Sequence, residues 1–223
     1  MNPLELMKSR HSVRVYSDLK ISAENVQVLQ DLITRCNEEG DLHIQLILND
    51  PAAFSGIIPR FGRFRNVHNY LILAGKSSPS LQERAGYYGE KIVLKAQELR
   101  LGTCWVAGTY NKKKCRAALK PDEELVCVIS IGHFDQDGAP HKTKSITDLC
   151  QTSGNMPDWF RIGMEAVQLA PTAMNQQKFI FYLINDTVRA EAGRGYNTNI
   201  DLGIAKYHFE LGAGTKNFKW SGT

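Results

Sequence analysis

Residues 178–186, KFIFYLIND, are a short apolar run closed by Asn-Asp, and residues 42–50, LHIQLILND, are built the same way. Aromatic and β-branched side chains bounded by turn residues predict a buried strand at each place. Superimposing the two runs defines an offset of 136, which is 186 minus 50. With that offset, the helix predicted over 22–38 falls on the helix predicted over 157–169. Ser22 caps the earlier helix, whose Val26, Leu29 and Ile33 lie on one face. A second correspondence pairs KIVLKAQELRLGT (91–103) with DLGIAKYHFELGA (201–213), each predicted as a helix ending in Leu-Gly. Such self-similarity marks a duplicated architecture. The chain therefore reads as two related halves, 1–149 and a shortened 150–223, forming one compact unit.

The remaining elements complete an α+β pattern. Asn2 before Pro3 opens a short helix over LELMKS. Strands are predicted over 69–75 and 125–132, a long helix from about 80 to 101 that stops at Gly102, and a last helix over about 200–211. By composition, 135–157 is loop-like.

Composition narrows the functional classes. Of 223 residues, 43% are hydrophobic and 22% charged, as expected for a folded soluble chain. The net charge of +4 is spread along the sequence, with NKKKCR (111–116) the densest patch and no interleaved aromatics, so nucleic acid is not the expected partner. The five cysteines form no CxxC and have no His at metal-ligand spacing, which points to reduced thiols and no metal site. The N-terminus lacks the apolar core of a signal peptide and no run is long enough to span a membrane, so a cytoplasmic location is expected.

Four segments carry chemistry-bearing residues. In RHSVR (10–14) an extended backbone places Arg10, Ser12 and Arg14 on one face, an arrangement suited to phosphate, although a solvated basic edge has the same appearance. In LGTCWVAG (101–108), Ala107 and Gly108 allow close backbone approach to a ligand, and a plain helix stop reads equally well. HKTK (141–144) alternates Lys142 and Lys144, as many surface loops do. APTAMNQQKF (170–179) crowds Asn175, Gln176 and Gln177 at a strand entrance, where they either close a turn or hold a planar polar ligand.

Together these four segments resemble the signature segments of the nitroreductase family, flavoenzymes that hold FMN. The resemblance implies that Arg10, His11, Ser12, Arg14, Lys142 and Lys144 serve the flavin phosphate and ribityl chain. By the same resemblance, Ala107, Gly108, Pro171, Thr172, Ala173, Asn175 and Gln177 lie along the isoalloxazine. Lys178 and Phe179 stand where Pro and Trp are usual in the family. Ordinary members also carry the amide segment soon after the Arg segment, whereas Pro171 lies 157 positions beyond Arg14, which is 171 minus 14. Under the offset of 136, Pro171, Asn175 and Gln177 fall on Arg35, Glu39 and Asp41, and Arg10–Arg14 falls on ITDLC (146–150). Each half has kept what the other lost.

The chain thus resembles a branch of the family built as a single-chain pseudo-dimer, a monomer with one FMN. The implied fold is a nitroreductase-like three-layer sandwich of two tandem halves. The implied activity is NADH or NADPH oxidation coupled to reduction of a small nitroaromatic, quinone or related acceptor, with no catalytic side chain because FMN carries the chemistry. Flavin fragmentation, reductive dehalogenation, a flavin-binding module without turnover and an empty scaffold stay open as alternatives.

Overall fold

A computed structural model describes residues 2–135, 138 and 142–221. In chain order its helices are α1 (Pro3–Ser9), α2 (Ala23–Gly40), α3 (Ile57–Phe61), α4 (Leu81–Glu98), α5 (Ile146–Leu149), α6 (Asp158–Gln168) and α7 (Thr198–Ala213). Its strands are β1 (Gln45–Ile47), β2 (Asn69–Lys76), β3 (Gly102–Val106), β4 (Glu123–Gly132), β5 (Cys150–Thr152), β6 (Phe179–Ile184), β7 (Thr187–Ala192) and β8 (Lys219–Trp220). The mixed α+β class follows as expected.

The chain packs as two compact units that are not contiguous in sequence. One comprises Ser9–Leu81 and Ile92–Ala139, the other Met1–Lys8, Gln82–Lys91 and Pro140–Thr223. This is a division by packing, and it does not address whether the halves 1–149 and 150–223 are related.

The first unit holds a wholly antiparallel sheet in the order β1-β2-β4-β3. Tyr70, Leu71, Ile72 and Leu73 of β2 are all fully buried, so this central strand is covered on both faces. Its core gathers Val13, Tyr16, Phe54, Phe64, Val67, Cys104 and Tyr110 around the sheet. β1 is shorter than the run 42–50 suggested. Asn37 of α2 takes both backbone groups of Ile44, accepting from its N–H at 2.7 Å and donating to its C=O at 3.0 Å. Asn49 then leaves the extended region at φ 53°.

The second unit holds a mixed sheet in the order β5-β6-β7-β8. β5 runs parallel to β6, β6 antiparallel to β7, and β7 parallel to β8. Asn185 closes the β6–β7 hairpin at φ 57°, the same left-handed excursion that Asn49 makes at the equivalent position of the other run. Asparagine tolerates this region because its short amide bonds locally. α7 is buried nearly all round, and its Phe209 meets the rings of Phe160, Phe181 and Phe218 at centroid distances of 5.0–5.4 Å. Small residues let the helices approach. A Cβ on Gly203 would lie 1.9 Å from the Glu83 carbonyl oxygen of α4, and one on Gly163 of α6 would lie 2.6 Å from the Phe209 ring. His208 and Glu90, both fully buried, join α7 to α4 at 2.9 Å, and the other ring nitrogen lies 3.0 Å from the Ala166 carbonyl oxygen.

Two sequence expectations need correction. α4 stops at Glu98 because Arg100 turns left-handed (φ 58°) and Leu101 swings into the core, whereas α7 continues through its own Leu-Gly to Ala213. The helical pairing of 91–103 with 201–213 therefore fails at its C-terminal end. The loop expected over 135–157 contains α5, capped by Ser145, and β5. Residues 136, 137 and 139–141 of that stretch lie outside the described residues.

Candidate functional site

In the first unit, residues 12–16 run as an extended segment tied to two neighbours. Ser12 bridges Thr103 of β3, and the Val13 N–H donates to the Thr103 carbonyl oxygen at 2.9 Å. On its other side the Arg65 N–H donates to the Arg14 carbonyl oxygen at 2.9 Å. Val13 and Tyr16 point into the core, and the Tyr16 hydroxyl reaches the Val13 carbonyl at 2.8 Å and Ser130 Oγ at 2.7 Å. Alternation then leaves Ser12 and Arg14 exposed, as expected, while Arg10 is only 5% exposed.

Arg10, Ser12 and Arg14 all act on the Cys104 thiol of β3. Burial pushes this thiol up, while the Arg14 charge, the Ser12 hydrogen bond and the Arg10 charge act in the opposite direction. One segment thus collects two guanidiniums and a hydroxyl at the mouth of one strand. His11 sits beside them, half-buried and edge-on to Phe134 at 5.2 Å. Ala107 and Gly108 follow β3 in a bend, half-buried and exposed respectively. The next residue, Thr109, packs on Gly62, where a Cβ would lie 2.6 Å from its Oγ1.

In the second unit, residues 142–144 and 168–177 form a continuous hydrogen-bonded loop pair. The buried Gln177 accepts from the Lys144 N–H at 2.7 Å and donates to the Gln168 carbonyl at 3.1 Å. Lys144 Nζ donates to the Gln177 carbonyl oxygen at 2.9 Å, and Asn175 Nδ2 donates to the Lys142 carbonyl oxygen at 2.8 Å. Thr172 Oγ1 accepts from the Gln177 N–H at 3.1 Å. Gln177 and Lys144 therefore brace the loop. Lys142 and Asn175 are exposed, and Pro171, Thr172 and Ala173 are half-buried. Met174, Asn175 and Gln177 have φ of 52°, 54° and 43°. Met174 and Gln177, left-handed without being glycine or asparagine, store strain of a kind that collects at ligand sites.

Sequence reading missed Asp201 of α7. Its carboxylate, 2% exposed, accepts from the Ala173 N–H at 2.9 Å and from Gln176 Nε2 at 2.7 Å, tying the strained loop to the central helix. The only signal was an acidic residue in the first turn of a helix, which is a common pattern.

Burial pushes the Asp201 carboxyl up to about 6, against the two hydrogen bonds that favour its ionised form. The folded state therefore binds more protons than the unfolded chain between about pH 4 and 6. The contribution of this group to stability falls as pH rises through that window, by about 3 kcal/mol. Asp201→Asn should flatten that part of the stability–pH curve. Urea titrations of both proteins at pH 4, 5, 6 and 7 check this, and parallel curves would refute it.

Among the described residues no group of His, Cys, Asp and Glu could hold a metal ion, and no helix is long and apolar enough to cross a membrane.

An antiparallel four-stranded sheet and a mixed four-stranded sheet with helices, carrying a cationic segment on one and a strained amide loop on the other, are the features of a nitroreductase-type α+β protein. The chain belongs to the family described as "Putative TM nitroreductase", whose model matches residues 2–213. Among solved structures, a "putative nitroreductase" from Thermotoga maritima MSB8 superimposes with a TM-score of 0.69 at 23% identity, covering 95% of this chain and 83% of that one. A "putative nitroreductase in complex with FMN" from Desulfovibrio desulfuricans gives 0.54 at 18% identity, with 70% and 99% covered. A "putative NADH dehydrogenase/NAD(P)H nitroreductase" from Bacteroides thetaiotaomicron VPI-5482 gives 0.51 at 17%, with 66% and 95% covered. No curated protein matches the sequence.

Proposed function

We propose that this chain is an FMN-dependent oxidoreductase that oxidises NADH or NADPH and reduces a nitroaromatic, quinone or related acceptor in a ping-pong cycle. The observation that carries the reading is that Arg10, Ser12 and Arg14 stand on one short segment whose backbone is fixed on both sides, to Thr103 and to Arg65. Family membership supports it, as do the FMN in the Desulfovibrio structure and the NAD(P)H in the Bacteroides protein's name.

The residues fit a phosphate-bearing cofactor. Two guanidiniums and a hydroxyl match the multiple acceptor oxygens of a phosphate carrying about −1.5 to −2 charge. When bound, FMN supplies a two-electron carrier between the reduced nicotinamide and the acceptor. The exposed Arg14 and Ser12 would donate to the phosphate, and the buried Arg10 would add its charge. Ala107, with only a methyl group, and Gly108, with no side chain, would let backbone approach the flat ring. In the amide loop, Lys142 offers a cation with no ion pair among the described residues and Asn175 an amide edge, while Lys144 and Gln177 keep the loop in its strained form. Pro171, Thr172 and Ala173 line its entry. No side chain is required to transfer a proton in a cycle of this kind.

Denaturing the purified protein and identifying the released flavin by chromatography, with its molar ratio to chain, tests the cofactor. The single-chain reading expects FMN at a ratio near one and a monomer by sedimentation. Steady-state oxidation of NADH and NADPH with a nitroarene or a quinone tests turnover. Bound FMN without turnover would leave a flavin-binding module, and colourless protein that takes up no FMN would end the flavin account.

A further inference from the structure

The first unit contains a cavity of about 720 Å³ lined by Val15, Arg60, Arg63, Phe64 and Arg65. Its volume lies within the range of small-ligand sites, about 300–1,000 Å³. Three of its five lining residues are arginines. Among the described residues none of these three side chains has a hydrogen bond or ion pair. Other arginines of the chain do find carboxylates: Arg116 reaches Asp50 at 3.1 Å, Arg161 reaches Asp158 at 3.3 Å and Arg189 reaches Glu191 at 2.9 Å. Three like charges around one concavity repel each other, and an anion relieves that repulsion.

The loop that presents them is held in place. Phe64 is 6% exposed and packs edge-on to Phe54 with ring centroids 5.2 Å apart, so it anchors the segment in the core between Arg63 and Arg65. Arg63 and Asn66 both stand in the left-handed region, at φ 61° and 54°, which asparagine tolerates and which costs arginine about 1 kcal/mol or more. Arg65 pairs by backbone bonds with Arg14 and Tyr16, at 2.9 and 3.2 Å. Gly62 admits no side chain, since a Cβ would lie 2.7 Å from the Phe64 ring. On the same short helix as Arg60, Ile57 is exposed at 71% and Phe61 at 80%. Guanidiniums next to exposed apolar and aromatic side chains fit a ligand that joins phosphate to a heteroaromatic base.

We propose that this cavity is a second anion site that receives the phosphorylated adenosine end of the nicotinamide donor, and that it favours NADPH over NADH. NADPH carries one more phosphate than NADH, on the adenosine ribose, and that group is the one three unneutralised arginines select. The naming of the donor rests on the flavoenzyme reading; the anion site does not.

The test uses adenosine 2′,5′-bisphosphate and adenosine 5′-monophosphate as probes, titrated calorimetrically into the wild-type protein and into the double variant Arg60→Gln, Arg65→Gln. FMN content and thermal melting are measured in parallel. The bisphosphate should bind at least tenfold more tightly than the monophosphate to wild type. The double variant should lose at least tenfold of bisphosphate affinity while keeping its FMN content, and KM for NADPH should rise while that for NADH stays. Equal affinity of the wild type for both probes overturns the proposal and needs no variant. A variant that loses FMN instead of bisphosphate affinity also overturns it and assigns the arginines to the flavin phosphate. Discrimination between the probes in a protein that binds no flavin would sustain the anion site and remove the flavin reading.

Discussion

Replacing Arg10 and Arg14 together by alanine is expected to weaken FMN binding by about two to four orders of magnitude. Each guanidinium supplies charge-assisted hydrogen bonds to phosphate, worth about 1.5–3 kcal/mol apiece, and each 1.4 kcal/mol is a factor of ten. The two side chains differ in setting, which makes the single variants informative. Arg14 is exposed, so Arg14→Ala should lower affinity with little change in melting temperature. Arg10 is 5% exposed, so Arg10→Ala should also cost stability through lost packing. Arg14→Lys should recover only part of the loss, since an ammonium cannot present the paired donors of a guanidinium. Flavin fluorescence titration reads all of these. A change below threefold in the double variant, with the fold intact, would remove the phosphate assignment.

Gly203→Ala should destabilise the protein by about 2–4 kcal/mol. Two terms oppose each other. Alanine is the better helix former by about 1 kcal/mol. Against this, its Cβ would stand 1.9 Å from the Glu83 carbonyl oxygen and 2.8 Å from the Tyr87 nitrogen, both backbone atoms of α4 that no side-chain rotation can move. α4 and α7 must separate, and overpacking of this kind costs about 1–3 kcal/mol before any lost contacts are counted. Contacts are lost here. The buried His208–Glu90 pair, the Lys206–Glu83 ion pair and the Tyr87–Glu210 hydrogen bond all span the same crossing. The second effect is the larger, and a fall of about 5–15 °C in melting temperature follows for a chain of this size. Gly154→Ala is the matched control, because a Cβ there meets nothing within 4 Å, and its melting temperature should not move.

The sequence exposed most of the framework because the relevant signals are local. Ser22 before an apolar stripe marks a helix start wherever it lies, and α2 begins where that signal places it. The runs 69–75 and 125–132 become β2 and β4 within two residues at each end. β7 was not read from the sequence: TVRAEA alternates, but two of its three inward residues are alanine, a weak apolar signal. β5 and β8, three and two residues long, have no sequence signal of their own and exist through pairing with β6 and β7. The left-handed turns at Asn49 and Asn185 agree with the resemblance between the two Asn-Asp runs, while the Leu-Gly helix ends do not correspond.

The candidate site was legible as a set of residue types, and through them as a family. Their partners were not. Gln177 was read as facing a ligand, yet it is spent on Lys144, 33 residues away, and on Gln168. Asp201, which ties down the strained loop, and the guanidiniums of Arg60, Arg63 and Arg65 carried no pattern that distinguishes them from surface charge. Hydrophobic period and caps are properties of neighbouring residues, so the sequence by itself determined the longer helices, the strands β2, β4 and β6 and the nitroreductase character of the chain. A polar side chain takes its role from whichever distant backbone or charge comes within about 3 Å. Only the tertiary structure decided which amides brace the loop, which carboxyl is buried beneath it and which cations line one cavity.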